Sequence, residues 1–155
     1  MQMSSNYIGD PDNEQIVIWS DMYNTGITQI DEQHKELVTL INVLFQACLH
    51  GKADAAFKEA MGKMVEYVNF HFSQELMLLE RISYPMYSEH KQQHDVLVLE
   101  ILDAVKEFKE GKKYTPNNFV RTLKEWVLSH IAIADQIYAT FIMEQKKKGF
   151  LADLI

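Results

Sequence analysis

The sequence predicts an all-α protein, an antiparallel up-down-up-down four-helix bundle with an irregular N-terminal segment. Apolar residues recur at helical spacing through four long stretches, and no stretch shows the alternation typical of a strand. Only three prolines and six glycines occur, and they fall between those stretches. Because the connections are short, successive helices are expected to be antiparallel neighbours.

The first three helices have clear start and stop signals. The first is expected from about Thr28 to His50, where Gly51 is a natural C-terminal stop, and the second from about Ala53 to Arg81. Pro85 is expected to open the third helix, since proline fits a first turn, and Gly111 to end it.

The fourth helix is expected to begin near Pro116 and to carry its apolar stripe through Phe141. The predicted domain boundaries are an N-terminal extension over 1–16, the bundle over 17–146 and a tail over 147–155. The apolar residues expected to face the core on the four helices include Ile30, Leu37, Ile41, Leu44, Phe57, Met64, Val68, Leu79, Leu97, Ile101, Phe119, Leu123, Ile137 and Tyr138.

Composition excludes some functions. The chain has 22 acidic against 15 basic residues and a net charge of −7, which argues against nucleic-acid binding. No apolar run of about 18 residues occurs, so neither a transmembrane helix nor membrane binding is expected. The N-terminus lacks the basic start and apolar stretch of a secretory signal, and the single cysteine, Cys48, cannot form an intrachain disulfide. These features favour a reduced, cytoplasmic setting.

Polar residues interrupt the apolar face of every predicted helix. His34 lies in the middle of the first helix's stripe. The second helix carries the pair His71 and Glu75, and the third carries the pair His90 and His94. Each pair has i, i+4 spacing, so both of its side chains point the same way.

On the fourth helix His130 continues the apolar stripe. Asp135 follows five residues later, which is about 140° around a regular helix. Spacing alone does not pair Asp135 with His130, so this is the weakest link in the predicted site.

Together these positions deliver five imidazoles and two carboxylates to the bundle interior. Burying each ionised group without a partner costs several kcal/mol, and a domain's whole stability is only about 5–15 kcal/mol. A metal centre would compensate, because imidazole nitrogens donate to a metal ion and carboxylates neutralise its charge. Seven groups exceed the needs of one four-coordinate zinc and suit two ions that share bridging carboxylates.

At these residues the sequence resembles the hemerythrin family, and most closely its bacterial single-domain members. The family pattern is a lone His, then H-x-x-x-E, H-x-x-x-H and H-x-x-x-x-D. Here it reads QH at 33–34, HFSQE at 71–75, HKQQH at 90–94 and HIAIAD at 130–135. Trp19 and Tyr138 also look like the family, and the resemblance covers roughly residues 17 to 142.

The resemblance implies a cofactor of two non-haem iron ions, cycling between Fe2+ and Fe3+, with an oxo or hydroxo bridge. One iron would take His90, His94 and His130, and the other would take His34 and His71. Glu75 and Asp135 would bridge the two ions. The second iron would keep an open position at which dioxygen binds reversibly. The apolar residues implied for the oxygen pocket are Phe72, Trp126, Val127 and Ile131.

The implied function is oxygen storage, or delivery to oxygen-requiring enzymes, rather than catalysis. Two alternatives stay open. One is an oxygen or redox sensing module that acts through a signalling partner. The other is a di-iron peroxidase or nitric oxide-handling enzyme, for which no proton donor beyond the ligands is evident. Val127 stands where the family often has leucine, so the pocket over the iron is expected to be wider than usual.

Overall fold

The computed structural model of the chain describes residues 15–49, 54–111 and 116–151. All regular elements among these residues are helical, which confirms the predicted fold class. A short 3-10 helix, Asp21–Tyr23, precedes the bundle. The α-helices are α1 (Thr28–Leu49), α2 (Asp54–Arg81), α3 (Tyr87–Lys109), α4 (Pro116–Ala132) and α5 (Ala134–Lys147).

The sequence had suggested one continuous fourth helix. In the structure this helix is divided at Ile133 into α4 and α5. Ile133 has φ −116° and ψ −70°, outside the regular helical values. The Gln136 side-chain amide donates to the Ile131 carbonyl at 3.5 Å and to the Tyr23 carbonyl at 3.3 Å. Gln136 therefore supports the broken turn and ties it to the N-terminal segment.

Two further expectations are wrong in detail. Pro85 lies in the turn before α3, which begins at Tyr87, because Ile82 to Met86 form a tight connection in which Ser83 has φ 54°. Ile137 was expected in the core but is 47% exposed, because the break at Ile133 rotates the helix that follows it. The predicted stop at Gly51 and residues 1–14 of the predicted extension over 1–16 lie outside the described residues.

The buried side chains form two apolar clusters with a polar layer between them. Going along α1, Ile30 belongs to the smaller cluster, His34 to the polar layer and Leu37 to the larger cluster. Along the antiparallel α2 the order is reversed, since Val68 lies in the larger cluster and Leu79, beyond the polar layer, lies in the smaller. The polar layer is thus a cross-section of the bundle, closed off by apolar packing above and below.

The segment before α1 is fastened to the bundle by two buried polar side chains. Asn42 accepts hydrogen bonds from the backbone of Ile16 and Val17 at 2.9 and 3.0 Å and donates to the Val17 carbonyl at 2.9 Å. Asp31, in the first turn of α1, accepts from the Thr25 backbone and hydroxyl, both at 2.7 Å. These bonds fix where α1 begins and therefore where its side chains lie.

The stretch Asn118–Lys147 is, by length and composition alone, long and apolar enough to cross a membrane. Buried core helices meet the same criterion, and 44% of its most apolar window is buried within the bundle. The stretch also carries His130 and Asp135 on the face turned to the polar layer. Packing inside the bundle accounts for its hydrophobicity.

Candidate metal centre

The seven polar residues singled out in the sequence meet in one buried layer. Helix α1 contributes His34, α2 contributes His71 and Glu75, α3 contributes His90 and His94, and the α4–α5 pair contributes His130 and Asp135. All seven are buried; His130 is the most accessible, at 8%, and His34, Glu75 and Asp135 are at 0%.

Their donor atoms divide into two groups able to hold a metal ion. Glu75, His90, His94 and His130 form one group, and His34, His71 and Glu75 form the other. Glu75 belongs to both. Its Oε1 lies 2.6 Å from His90 Nε2 and 3.0 Å from His94 Nε2. Its Oε2 lies 3.4 Å from His71 Nε2 and 3.6 Å from His34 Nε2. One carboxylate therefore turns one oxygen toward each group.

Asp135, like Glu75, turns one carboxylate oxygen toward each group of imidazoles. Its Oδ1 lies 3.1 Å from His130 Nε2 and 3.3 Å from His90 Nε2, while its Oδ2 lies 3.1 Å from His34 Nε2. The break at Ile133 makes this possible, because it turns α5 so that a residue five positions after His130 reaches the same layer. Helical spacing alone had not placed Asp135 in the same layer as His130.

The seven donor side chains leave buried polar atoms unsatisfied by one another, and a pair of cations would satisfy them better. Five buried atoms have no hydrogen-bond partner among the residues that the structure describes: both ring nitrogens of His34, Nδ1 of His94 and both oxygens of Asp135. Unsatisfied buried groups of this kind are costly, and carboxylate oxygens and imidazole nitrogens are strong ligands for iron and other divalent metals. A metal ion in each group would satisfy the Nε2 atoms and the carboxylate oxygens together.

Mutual charge stabilisation shifts the pKa of several of these groups. Burial raises the pKa of Glu75, but the imidazoles around its two oxygens outweigh burial and hold that pKa well below its usual value; they belong to His34, His71, His90 and His94. Burial likewise lowers the pKa of His34, yet Asp135 and Glu75 raise it to about 9. The layer therefore holds its carboxylates as anions, the form in which they ligate a metal ion.

Two neighbouring polar residues orient the donors. Gln33 Oε1 lies 2.8 Å from His71 Nδ1, an acceptor that places the proton on Nδ1 and leaves Nε2 free to ligate. The buried Tyr138 hydroxyl donates to Glu75 Oε2 at 3.0 Å. The sequence analysis had placed Tyr138 in the core and among the residues that look like the family, but it had not singled out Gln33. Its signal was its place four residues before Leu37, on the apolar stripe of α1.

A small cavity of about 10 Å³ lies against the donor layer. The four residues implied for the oxygen pocket, Phe72, Trp126, Val127 and Ile131, all line it. Phe72 stacks on the His94 ring at 3.7 Å, and Trp126 stacks on His130 at 4.6 Å between ring centroids. About 10–15 Å³ is the least that holds one water, so the cavity has room for one very small molecule.

A four-helix bundle with a buried layer of histidines and shared carboxylates defines a metal-binding bundle protein. The family model described as "Hemerythrin HHE cation binding domain" matches residues 25–142. The chain belongs to the hemerythrin family.

Relatives in several organisms agree with this assignment. The chain is 32% identical over 125 residues to "Bacteriohemerythrin" of Stenotrophomonas maltophilia (strain R551-3), covering 80% of each chain. It is 27% identical over 116 residues to "Bacteriohemerythrin" of Methylococcus capsulatus, covering 75% of this chain and 88% of the relative. A solved structure of wild-type hemerythrin aligns with a TM-score of 0.76 and 25% identity, covering 80% of this chain and 95% of that one.

Proposed function

We propose that this protein binds dioxygen reversibly at a non-haem di-iron centre. The observation that carries the proposal is the pair of donor groups that share Glu75 and are both touched by Asp135, next to a small apolar cavity. Two ferrous ions would together be able to supply two electrons to one dioxygen molecule.

The chain's own residues would have distinct parts in this function. His90, His94 and His130 would hold one ion and His34 and His71 the other, so the group with fewer imidazoles keeps room for a ligand. The cavity is lined by His71, from the group with fewer imidazoles, and by His130, from the other group. A dioxygen molecule in the cavity would therefore lie next to the ion held by His34 and His71. Its apolar wall would keep water away from the centre and slow irreversible oxidation.

The lining of the cavity favours binding over catalysis. The ionisable side chains that line it are His71, His130 and Asp135, and all three belong to the donor layer. The buried Tyr138 hydroxyl bonds to Glu75, and Tyr138 is not among the residues that line the cavity. A peroxidase would need a proton donor within reach of its bound substrate.

The proposal extends to oxygen storage or delivery to an oxygen-consuming enzyme, within a cytoplasmic setting. The single cysteine supports the cytoplasmic part of this proposal, since it cannot form an intrachain disulfide. The alternative is sensing through a signalling partner, which immediate oxidation without a reversible absorption band would favour.

The test is to load the protein with iron, reduce it without oxygen, admit air and record the visible spectrum and iron content. We expect two irons per chain and an absorption band that appears with oxygen and disappears when oxygen is removed. Immediate oxidation with no reversible band would favour a sensor or a peroxidase. Zinc, or no bound metal, would refute the proposal.

A further inference from the structure

The face between α3 and α4–α5 carries open grooves on the surface of the bundle. A groove of about 560 Å³ lies there beside Trp126 and His130, and a second groove of about 240 Å³ continues it toward the start of α4. The two share Glu100 and Thr122 as lining residues, so they form one feature, called here the α3–α4 groove.

The floor of the α3–α4 groove is apolar and accessible. Val96 is 51% exposed, Ile133 is 62% exposed and Ile137 is 47% exposed, and all three line it together with part of the Trp126 ring. Ile133 and Ile137 are placed there by the helix break that also positions Asp135. A contiguous apolar patch inside a groove is typical of a binding surface, whereas single exposed apolar residues are common.

The charges along the α3–α4 groove have one sign. Glu100 and Glu107 lie on the α3 side, Glu125 lies on the α4 side, and all three are exposed. Among the residues that the structure describes, the lining of the groove includes neither lysine nor arginine. An apolar floor between carboxylates on both sides is complementary to an apolar stripe between basic side chains.

The length of the α3–α4 groove matches that of one short helix. On α3 the lining residues run from Gln93 to Glu107, which is about 21 Å at 1.5 Å per residue. A partner helix of about 14 residues, four turns, would occupy this length. Helices that lie in a groove bind through apolar residues at i, i+3, i+4 and i+7 spacing.

We propose that the α3–α4 groove is a docking site for an amphipathic helix of a partner protein, with lysine or arginine on both edges of its apolar face. The groove is next to the metal centre, since Trp126 and His130 line both the groove and the inner cavity. A seated helix would cover the outer face of these two side chains. The inference concerns the surface only and stands whether or not the centre binds dioxygen.

The test uses the full-length, metal-loaded protein and a synthetic helical peptide of about 14–18 residues with a leucine face and lysine edges, a length set by the groove. Calorimetry is expected to give a Kd in the micromolar range, rising with added salt. A matched peptide with glutamate edges is expected to bind at least about tenfold more weakly, because like charges oppose it.

Variants locate the site. The double change Glu100→Lys and Glu125→Lys, and separately Val96→Lys, are expected to weaken binding of the lysine peptide by about tenfold or more. Glu80→Lys and Met77→Lys on α2 change the same kinds of exposed residue outside the groove and are expected to leave binding unchanged. Circular dichroism and iron content of each variant show that fold and centre are retained.

Three outcomes would overturn the proposal. Equal binding of the lysine and glutamate peptides would remove the role of charge. Equal effects of the groove and α2 variants would place the peptide elsewhere. A dimer in sedimentation that Val96→Lys dissociates would show that a second copy of this chain occupies the groove.

Discussion

Val127 is the smallest of the four residues implied for the oxygen pocket, all of which line the inner cavity, and it is 3% exposed. Replacing it with leucine adds one methylene group to a space that holds about one water. We expect Val127→Leu to slow autoxidation of the oxygenated protein, because less water reaches the centre. The measurement is the half-life of the oxygenated spectrum in air.

The matched control for this change is Val105→Leu, which adds the same group on α3 outside the cavity. Its half-life should equal that of the unchanged protein. A Val127→Leu half-life that is unchanged or shorter would refute the role given to this side chain.

Glu75 is the only residue common to both donor groups. The change Glu75→Ala removes oxygens that lie within 2.6–3.6 Å of four imidazole nitrogens. We expect iron content to fall well below two per chain and the visible spectrum to be lost. Glu80→Ala, an exposed residue further along α2, should retain both. Two irons and an unchanged spectrum in Glu75→Ala would show that the ligand assignment is wrong.

Cys48 is half-buried against the larger apolar cluster, and burial raises the pKa of its thiol to about 11. Only the thiolate reacts, so at pH 8 about one thiol in a thousand is reactive, against roughly a quarter at the ordinary pKa of about 8.5. We expect alkylation by iodoacetamide to be on the order of 100-fold slower in the folded protein than in urea. Similar rates in both states would mean that the thiol is accessible and unperturbed.

At the scale of the element, the start of α1 depends on Asp31, which accepts three hydrogen bonds from Thr25 and Gly26. The change Asp31→Ala leaves buried donors without an acceptor. We expect it to lower the free energy of unfolding in urea by about 1–3 kcal/mol.

The neighbouring change Glu32→Ala removes only an exposed ion pair with Lys35 at 3.3 Å. Its effect should stay within about 0.5 kcal/mol, because surface ion pairs contribute little. If Asp31→Ala were as mild as Glu32→Ala, the segment before α1 would not be anchored by that carboxylate.

The helical elements also show what periodicity can and cannot predict. The i, i+4 pairs His71–Glu75 and His90–His94 were placed on one face by spacing alone, and the structure brings both pairs into the layer. Asp135 could not be placed in this way, since the turn at Ile133 is supported by Gln136 and by the Tyr23 carbonyl, 113 residues earlier in the chain than Gln136. A contact so distant in sequence leaves no periodic signal.

At the scale of the whole molecule, the centre joins every helix of the bundle, so metal binding should stabilise the fold. A ligand present at 100 times its Kd adds about 2.7 kcal/mol. For a chain of this size we expect Tm to rise by roughly 5–10 °C on loading with Fe2+. Differential scanning calorimetry without oxygen measures this shift.

Mg2+ is the matched control, because it prefers oxygen ligands and keeps its waters. It should leave Tm nearly unchanged. Equal Tm values for the iron-loaded and metal-free protein would mean that the donor layer is satisfied without a metal.

By itself the sequence determined the helical class, the four apolar stripes and the residue types that interrupt them, because periodicity and burial cost act within one helix. It also indicated the seven donor positions, through the family's spacing. The tertiary structure alone decided which oxygen of Glu75 and Asp135 faces which imidazoles and how the break at Ile133 turns Asp135 inward. It also decided that Ile137 opens onto a groove. These features depend on contacts between residues far apart in the chain, and their geometry is fixed only when the helices pack.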